Sequence, residues 1–254
     1  MSTNTEKLIL IFDVDGTLSA ARKQISQDFM EYLQGVRAQG VPLAVVGGSD
    51  LCKIIEQLGD SLEDVQQKFD FLFSENGLVG FKGNEALPTK SIQEYLGEDK
   101  LQTLINWTLK YFSTLQLPVK RGNFVEFRKG MLNLCPVGRS CSYEERLEFH
   151  EYDTKHGIRE TLVKELSSNF SQYGLEFAIG GQISVDVYPI GWDKTYCLQF
   201  LEADYKAMHF FGDKTSPGGN DHAIFVDPRT VGHTVQNPED TRSQMEKLLK
   251  ELGY

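Results

Sequence analysis

Five apolar residues in unbroken succession, Leu8 to Phe12, run straight into Asp13-Val14-Asp15-Gly16-Thr17-Leu18-Ser19. A run without polar alternation predicts a strand buried on both faces, as in a parallel sheet. Side chains two apart on an extended chain point the same way. Asp13 and Asp15 are therefore expected to leave the strand end on one side. Gly16 permits a backbone turn that a side chain would obstruct. Open α/β sheets place their chemistry at the carboxyl ends of parallel strands. Two carboxylates meeting there repel, and one pKa rises unless a cation intervenes. Mg²⁺ is the natural cation for hard oxygen ligands.

The following residues continue an α/β order. A helix is expected from Ser26, with Phe29, Met30, Leu33 and Val36 as its apolar stripe, ended by Gly40. Val41 to Val46 reads as a second strand. It ends in Gly47-Gly48-Ser49-Asp50, where backbone N–H groups could approach a phosphate and Ser49 or Asp50 could cap the next helix. Leu51, Ile54, Ile55 and Leu58 give that helix its buried side. Phe69 to Phe73 reads as a third strand, turned by Glu75-Asn76-Gly77 into a short arm at Leu78 to Phe81.

The pattern changes near Lys82-Gly83-Asn84. Helical spacing at Leu101, Leu104, Ile105 and Leu109 is followed by strand-like runs at 123–127, 131–135, 175–179 and 183–188. Helices are expected from Ser142, which forms a capping box with Glu145, and over 158–170. α/β order resumes after Pro189-Ile190-Gly191-Trp192, with a helix at 195–201, strands at 207–211 and 230–235, and a closing helix at 243–252. The architecture expected is therefore α/β: a doubly wound, mostly parallel sheet with an inserted α+β cap. The core would comprise residues 1–84 and 190–254, and the cap residues 85–189.

A second acidic turn, Gly212-Asp213-Lys214-Thr215-Ser216-Pro217-Gly218-Gly219-Asn220-Asp221, again follows a strand. Asp213 could join Asp13 and the Asp15 turn in supplying oxygens to a hard cation, with Asn220 and Asp221 returning more. Lys194 stands at a linker-to-helix junction, where a fixed ammonium beside Asp13 would hold charge on that acid and on a phosphoryl group. In the inserted lobe, Arg121, Arg128 and Arg139 lie in an alternating stretch and Arg146 in the first turns of a capped helix. A cation there opposes the helix dipole, so helix stability does not explain it. Guanidinium forks suit phosphate. Ser184 and Asp186 share one strand face, and Ile183, Val185 and Val187 the other. The polar pair reads as a hydroxyl-binding surface for a sugar or as a solvated face.

A net charge of −10 argues against a nucleic-acid partner, so basic groups that bind phosphate must be local. The start of the chain shows no signal-peptide pattern, and no run is long enough to span a bilayer. Cys52, Cys135, Cys141 and Cys197 form no C-x-x-C and read as free thiols of a reducing compartment. The five histidines lack metal-ligand spacing and read as surface or structural residues.

The D-x-D-G-T-L turn and the later G-D-x(n)-N-D turn resemble the signatures of the haloacid dehalogenase-like superfamily. Longer runs narrow the resemblance to the eukaryotic α-phosphomannomutases. They are FDVDGTLSAAR (Phe12 to Arg22), VVGGSD (Val45 to Asp50), RGNFVEFRKGMLN (Arg121 to Asn133), GRSCSYEER (Gly138 to Arg146), GGQISVDVYPIGWDK (Gly180 to Lys194) and FFGDKTSPGGNDHAIFVDPRTVGH (Phe210 to His233). The resemblance implies that mannose 6-phosphate and mannose 1-phosphate interconvert through a hexose 1,6-bisphosphate activator. The product would serve GDP-mannose synthesis and glycosylation. Asp13 would carry the phosphoryl group, Asp15 would be the acid/base and Lys194 their cationic partner. Mg²⁺ would sit on Asp13, the Asp15 main-chain oxygen and Asp213. A second cation would use Phe225, Asp227 and Thr230. Arg22, Arg128, Arg139, Arg146, Ser184 and Asp186 would bind the sugar phosphate, under a cap that excludes water. The family implies a cytosolic homodimer joined through the cap, with no membrane attachment. A capped sugar-phosphate phosphatase shares every core motif and is the main alternative. A sugar-phosphate sensor that has lost catalysis is a second. Gly47 departs from the Ser or Thr that many superfamily members carry there.

Overall fold

The computed structural model describes residues 7–20 and 23–254. It divides into two compact units: Met1–Thr89 with Gly191–Tyr254, and Lys90–Ile190.

In the first unit, β1 (Leu8–Phe12) is followed by α1 (Gln27–Ala38), β2 (Leu43–Val46), α2 (Leu51–Leu58), α3 (Leu62–Lys68), β3 (Phe71–Ser74), β4 (Val79–Lys82) and β5 (Glu85–Ala86). The second unit contains α4 (Ile92–Leu96), α5 (Glu98–Thr114), β6 (Val125–Phe127), β7 (Leu132–Leu134), α6 (Tyr143–His156), α7 (Ile158–Phe170), β8 (Leu175–Gly180) and β9 (Ser184–Pro189). The chain then completes the first unit with a 3₁₀ helix (Lys194–Phe200), β10 (Ala207–Gly212), α8 (His222–Val226), β11 (Thr230–Thr234) and α9 (Pro238–Leu252).

Among the described residues the first unit is built on a seven-stranded sheet, ordered β11-β10-β1-β2-β3-β4-β5. It is parallel from β11 to β3, and β4 and β5 add an antiparallel edge. The unbroken apolar run of β1 has a direct cause. Leu8, Leu10 and Phe12 enter one core with α1, α2, α3 and α9, while Ile9 and Ile11 enter a second with the 3₁₀ helix and α8. Each such fully buried side chain contributes about 1.5–3 kcal/mol. Phe12 stands opposite Phe211, and the Asp13 amide donates to the Phe211 carbonyl at 3.0 Å. This register brings the ends of β1 and β10 side by side.

The structure shifts several expected bounds. β2 starts at Leu43 rather than Val41, since Pro42 has no N–H to give the ladder. The first unit runs to Thr89, beyond the expected 84, because β5 pairs with β4. α3 and α8 lie where no helix was expected, and both are too short to show a period. α9 begins at Pro238 rather than at 243. Asn237 caps it and proline stands in its first turn, but its buried residues start only at Thr241.

The second unit carries an antiparallel sheet ordered β6-β7-β9-β8. Leu132, Leu134, Val185 and Val187 turn one face onto Leu101, Leu104 and Phe112 of α5 and Leu162, Leu166 and Phe170 of α7. Glu126, Asn133, Asp186 and Ala178 stand in register across the sheet. They alternate with those apolar residues and so occupy the opposite face. α6 has the Ser142–Glu145 capping box expected of it. No helix of the described residues is long and apolar enough to cross a membrane.

Candidate active site

Lys194 is fully buried. It begins the 3₁₀ helix, whose preceding Asp193 accepts from the Thr195 amide at 2.8 Å. Its ammonium donates to Asp13 Oδ1 and, at 2.6 Å, to Asp221 Oδ1. The other Asp221 oxygen accepts from the Lys214 amide at 2.9 Å. Burial by itself would lower the Lys194 pKa, but Asp13 and Asp221 outweigh it and hold the ammonium above its ordinary range. Asp13 is pushed up to about 6, chiefly by burial; Lys194 opposes the rise and Asp221 adds to it.

Asp13, Asp213 and Asp221 offer carboxylate oxygens all within 4.8 Å of one another. Asp213 Oδ1 is buried with no hydrogen-bond partner among the described residues, and burial raises its pKa. Asp13 and Asp221 share one ammonium, and Asp213 beside them carries the orphaned hard oxygen. That donor set fits a divalent cation. Gly16 makes the approach possible. Its φ is +80°, and a Cβ there would stand 2.5 Å from Asp213 Oδ2.

The Asp15 carboxylate, for which an acid/base role is expected, is not one of the three in that cluster. That cluster joins Asp13 to Asp213 and Asp221 instead. Asp15 Oδ1 accepts from Gln57 Nε2 at 2.9 Å, and the same nitrogen reaches Ser19 Oγ at 3.2 Å. Gln57 lies on α2 and is buried. The turn is closed by three amides, of Thr17, Leu18 and Ser19, donating to the Val14 carbonyl, and by the Thr241 hydroxyl donating to the Thr17 carbonyl at 2.8 Å. Of the two cap candidates for α2, Asp50 takes the role, its Oδ1 accepting from the Lys53 amide at 3.0 Å. A Cβ at Gly47 would meet Ile54 Cδ1 at 2.7 Å.

Arg22 lies outside the described residues. Arg128 Nε meets Glu126 Oε1 at 2.6 Å, and Arg139 Nε meets Glu126 Oε2 at 2.5 Å. Arg139 Nη1 also donates to Asn133 Oδ1 at 2.7 Å, and Asn133 Nδ2 to Asp186 Oδ1 at 2.6 Å. Burial raises the Asp186 pKa against the pull of Asn133, Arg128 and Arg139. The Ser184 hydroxyl is turned back onto the Gly180 carbonyl at 3.0 Å. Arg121 pairs with Glu145. The Arg146 amide donates to the Ser142 carbonyl in the first turn of α6. Asp227 accepts from the Arg229 guanidinium through both carboxylate oxygens, at 2.9 and 2.8 Å. The Thr230 hydroxyl donates to the Ile224 and Asp227 carbonyls.

No role at the site is expected from sequence for Gln57, Glu126, Asn133 or Arg159. Arg159 is buried, paired with Asp153 at 2.7 Å, and donates to the Gly181 carbonyl beside Ser184 at 2.9 Å. One signal was available for Glu126, which is two residues from Arg128 on a strand and so on its face.

A family model for eukaryotic phosphomannomutase matches residues 29–251. The chain belongs to the eukaryotic phosphomannomutase family. It is 62% identical over 252 residues to a probable phosphomannomutase of Caenorhabditis elegans, with 99% of each chain covered. It is 54% identical over 237 residues to human phosphomannomutase 1, covering 93% of this chain and 90% of that one. The fold is shared with the sucrose-phosphatase of Synechocystis, solved in complex with sucrose and phosphate. The TM-score is 0.57 at 14% identity, over 95% of this chain and 98% of that one. The chain thus shares its fold with that structure, a mostly parallel α/β core with an inserted α+β unit.

Proposed function

We propose that this enzyme interconverts mannose 6-phosphate and mannose 1-phosphate, through a phosphoryl group carried on Asp13 and a hexose 1,6-bisphosphate. The observation that carries the reading is the buried Asp13–Lys194–Asp221 chain beside the orphaned Asp213 oxygen, in a member of this family. Asp13 attacks a phosphorus of the bisphosphate. The bond from an Asp13 carboxylate oxygen to phosphorus forms, giving an acyl phosphate, as the phosphorus–sugar oxygen bond breaks, and Asp15 protonates the leaving oxygen. A monophosphate bound the other way round then gives its hydroxyl proton to Asp15 and takes the phosphoryl group back. Lys194 stays charged throughout and offsets the negative charge gathering on the phosphoryl oxygens. Asp13, Asp213 and the Asp15 main-chain oxygen would hold Mg²⁺, which supplies further positive charge at the same oxygens. Arg128, Arg139 and Arg146 take the phosphate that is not reacting, and Asp186 the sugar hydroxyls.

A homodimer formed through the inserted unit is part of this reading. Tyr143 and Leu147, one turn apart on α6, are 67% and 37% exposed, which supports it. Gel filtration with light scattering would measure it. The free state of all four cysteines is compatible with a cytosolic enzyme.

A coupled assay of mannose 1-phosphate, with and without bisphosphate and with Mg²⁺ or chelator, tests the reaction. Turnover should require both additions, and Asp13→Asn should abolish it. Release of inorganic phosphate without any bisphosphate requirement would establish the phosphatase alternative instead.

A further inference from the structure

Glu126 holds the middle of a chain that crosses three strands: Arg128, Glu126, Arg139, Asn133, Asp186. Each of its carboxylate oxygens meets the Nε of a different arginine. One arginine follows β6 and the other lies in the loop after β7, so the two are brought together only by the fold. Asn133 is 3% exposed, and the side chains of Glu126, Arg128 and Arg139 are 29%, 22% and 25% exposed. The group is therefore sheltered but open at one side. Arg128 turns Nη1 to Met131 Sδ at 3.7 Å, and Arg139 turns Nη1 to Asn133. Among the described residues no hydrogen bond engages Nη2 of either arginine, the nitrogen that an incoming anion would use.

We propose that Glu126 is a positioning residue of the phosphate clamp, binding Arg128 and Arg139 into one rigid pair before substrate arrives. The inference rests on the reading that these two arginines take the non-reacting phosphate of the sugar phosphate. Two guanidiniums repel, and a carboxylate with one oxygen for each removes that repulsion. It also orders two long side chains in advance, so their ordering entropy does not weaken substrate binding. Because both contacts use Nε, the carboxylate holds each planar fork at that nitrogen, and Nη2 beside it is the group offered to the ligand. Asn133 completes the arrangement by passing the order of Arg139 on to Asp186, the side chain expected at the sugar hydroxyls. Gly180 leaves room for that carboxylate, since a Cβ there would lie 2.4 Å from Asp186 Oδ2.

The test is steady-state kinetics of Glu126→Gln in the full chain. KM for mannose 1-phosphate should rise roughly tenfold to a hundredfold, the cost of ordering two arginines, while kcat stays within about threefold. Glu126→Asp keeps the charge but loses the reach to both arginines. It should raise KM similarly, and it decides the matter if the glutamine variant does not fold. Glu126→Gln is also made on Arg128→Met/Arg139→Met, where it should change kcat/KM by less than about twofold, since it then has nothing to position. An unchanged or lowered KM in the single variant overturns the inference and marks Glu126 as a competitor of phosphate. An equal loss in the arginine-free background also overturns it and marks a purely structural role. If Arg128→Met/Arg139→Met itself leaves KM unchanged, the clamp reading fails, and this inference with it.

Discussion

Replacing Lys194 with methionine removes one positive charge from between two buried carboxylates while keeping most of the side chain's volume. The side chains of Lys194, Asp13 and Asp221 are 0%, 6% and 0% exposed. Solvent therefore cannot stand in for the lost ammonium. Breaking a buried ion pair from one side costs about 3–5 kcal/mol. In a protein of this size each kcal/mol moves the melting midpoint about 2–4 °C, so the expected fall is about 6–20 °C. The fall should depend on pH with a definite sign. Asp13 already has a folded pKa of about 6, above its ordinary 3.8. Without Lys194, which draws it down, that value rises further. A carboxyl whose folded pKa is raised binds more protons folded than unfolded, so stability increases as pH falls through the folded value. The deficit of Lys194→Met is therefore largest at pH 8 and shrinks toward pH 5. Catalysis should fail for the same reason. At pH 7 a pKa of about 6 leaves about nine-tenths of Asp13 ionised, and a further rise takes the nucleophile away. Thermal unfolding at pH 5 and pH 8, with Mg²⁺ or chelator, read beside the coupled assay, measures both effects. A midpoint within about 2 °C of the parent at pH 8, or a deficit equal at the two pH values, would refute the reasoning.

Gln57→Leu should lower kcat about tenfold or more with little change in KM, because a hydrogen bond to a charged group is worth about 1.5–3 kcal/mol and Asp15 loses its amide. An unchanged kcat would show that Asp15 needs no such support. Gly16→Ala forces a side chain into a backbone with φ +80° and into contact with Asp213. A loss of roughly 1–3 kcal/mol is expected in urea unfolding, together with a smaller melting shift on adding Mg²⁺. His209 Nδ1 and His233 Nε2 lie 2.9 Å apart, with His233 stacked on Phe211. Burial lowers both pKa values, that of His233 to about 4, with His209 adding to it. The folded state then holds fewer protons than the unfolded chain, and stability is lost as pH falls from about 6.5 toward about 4. His233→Phe keeps the ring face and should flatten that part of a urea-midpoint profile; an unaltered slope would assign the loss to other groups.

Much of the fold is legible in the residues themselves. Leu8–Phe12 reads as a two-sided buried strand because all five side chains are apolar, and the structure sends them alternately into two cores. Ser142 and Glu145 announce α6 through local hydrogen bonds that need no tertiary partner. Short elements are harder. α3 is seven residues long and β5 two, too few for a period to stand out. β5 exists only because β4 offers it an edge, which is why the first unit extends to Thr89.

The same division holds at the site. Asp13, Asp15, Lys194 and Asp213 are readable one by one, because acids after apolar strands and a lysine at a helix start are local patterns. Their partners are not. Lys194 lies 181 residues from Asp13 and 27 from Asp221, and Gln57 lies 42 from Asp15. Register between β1 and β10, helix placement and burial decide who meets whom, and no local pattern carries that information. Sequence by itself determined which chemical groups this chain can bring to a strand end. The tertiary structure decided their protonation and their neighbours, because desolvation and Coulomb attraction act through space and not along the backbone.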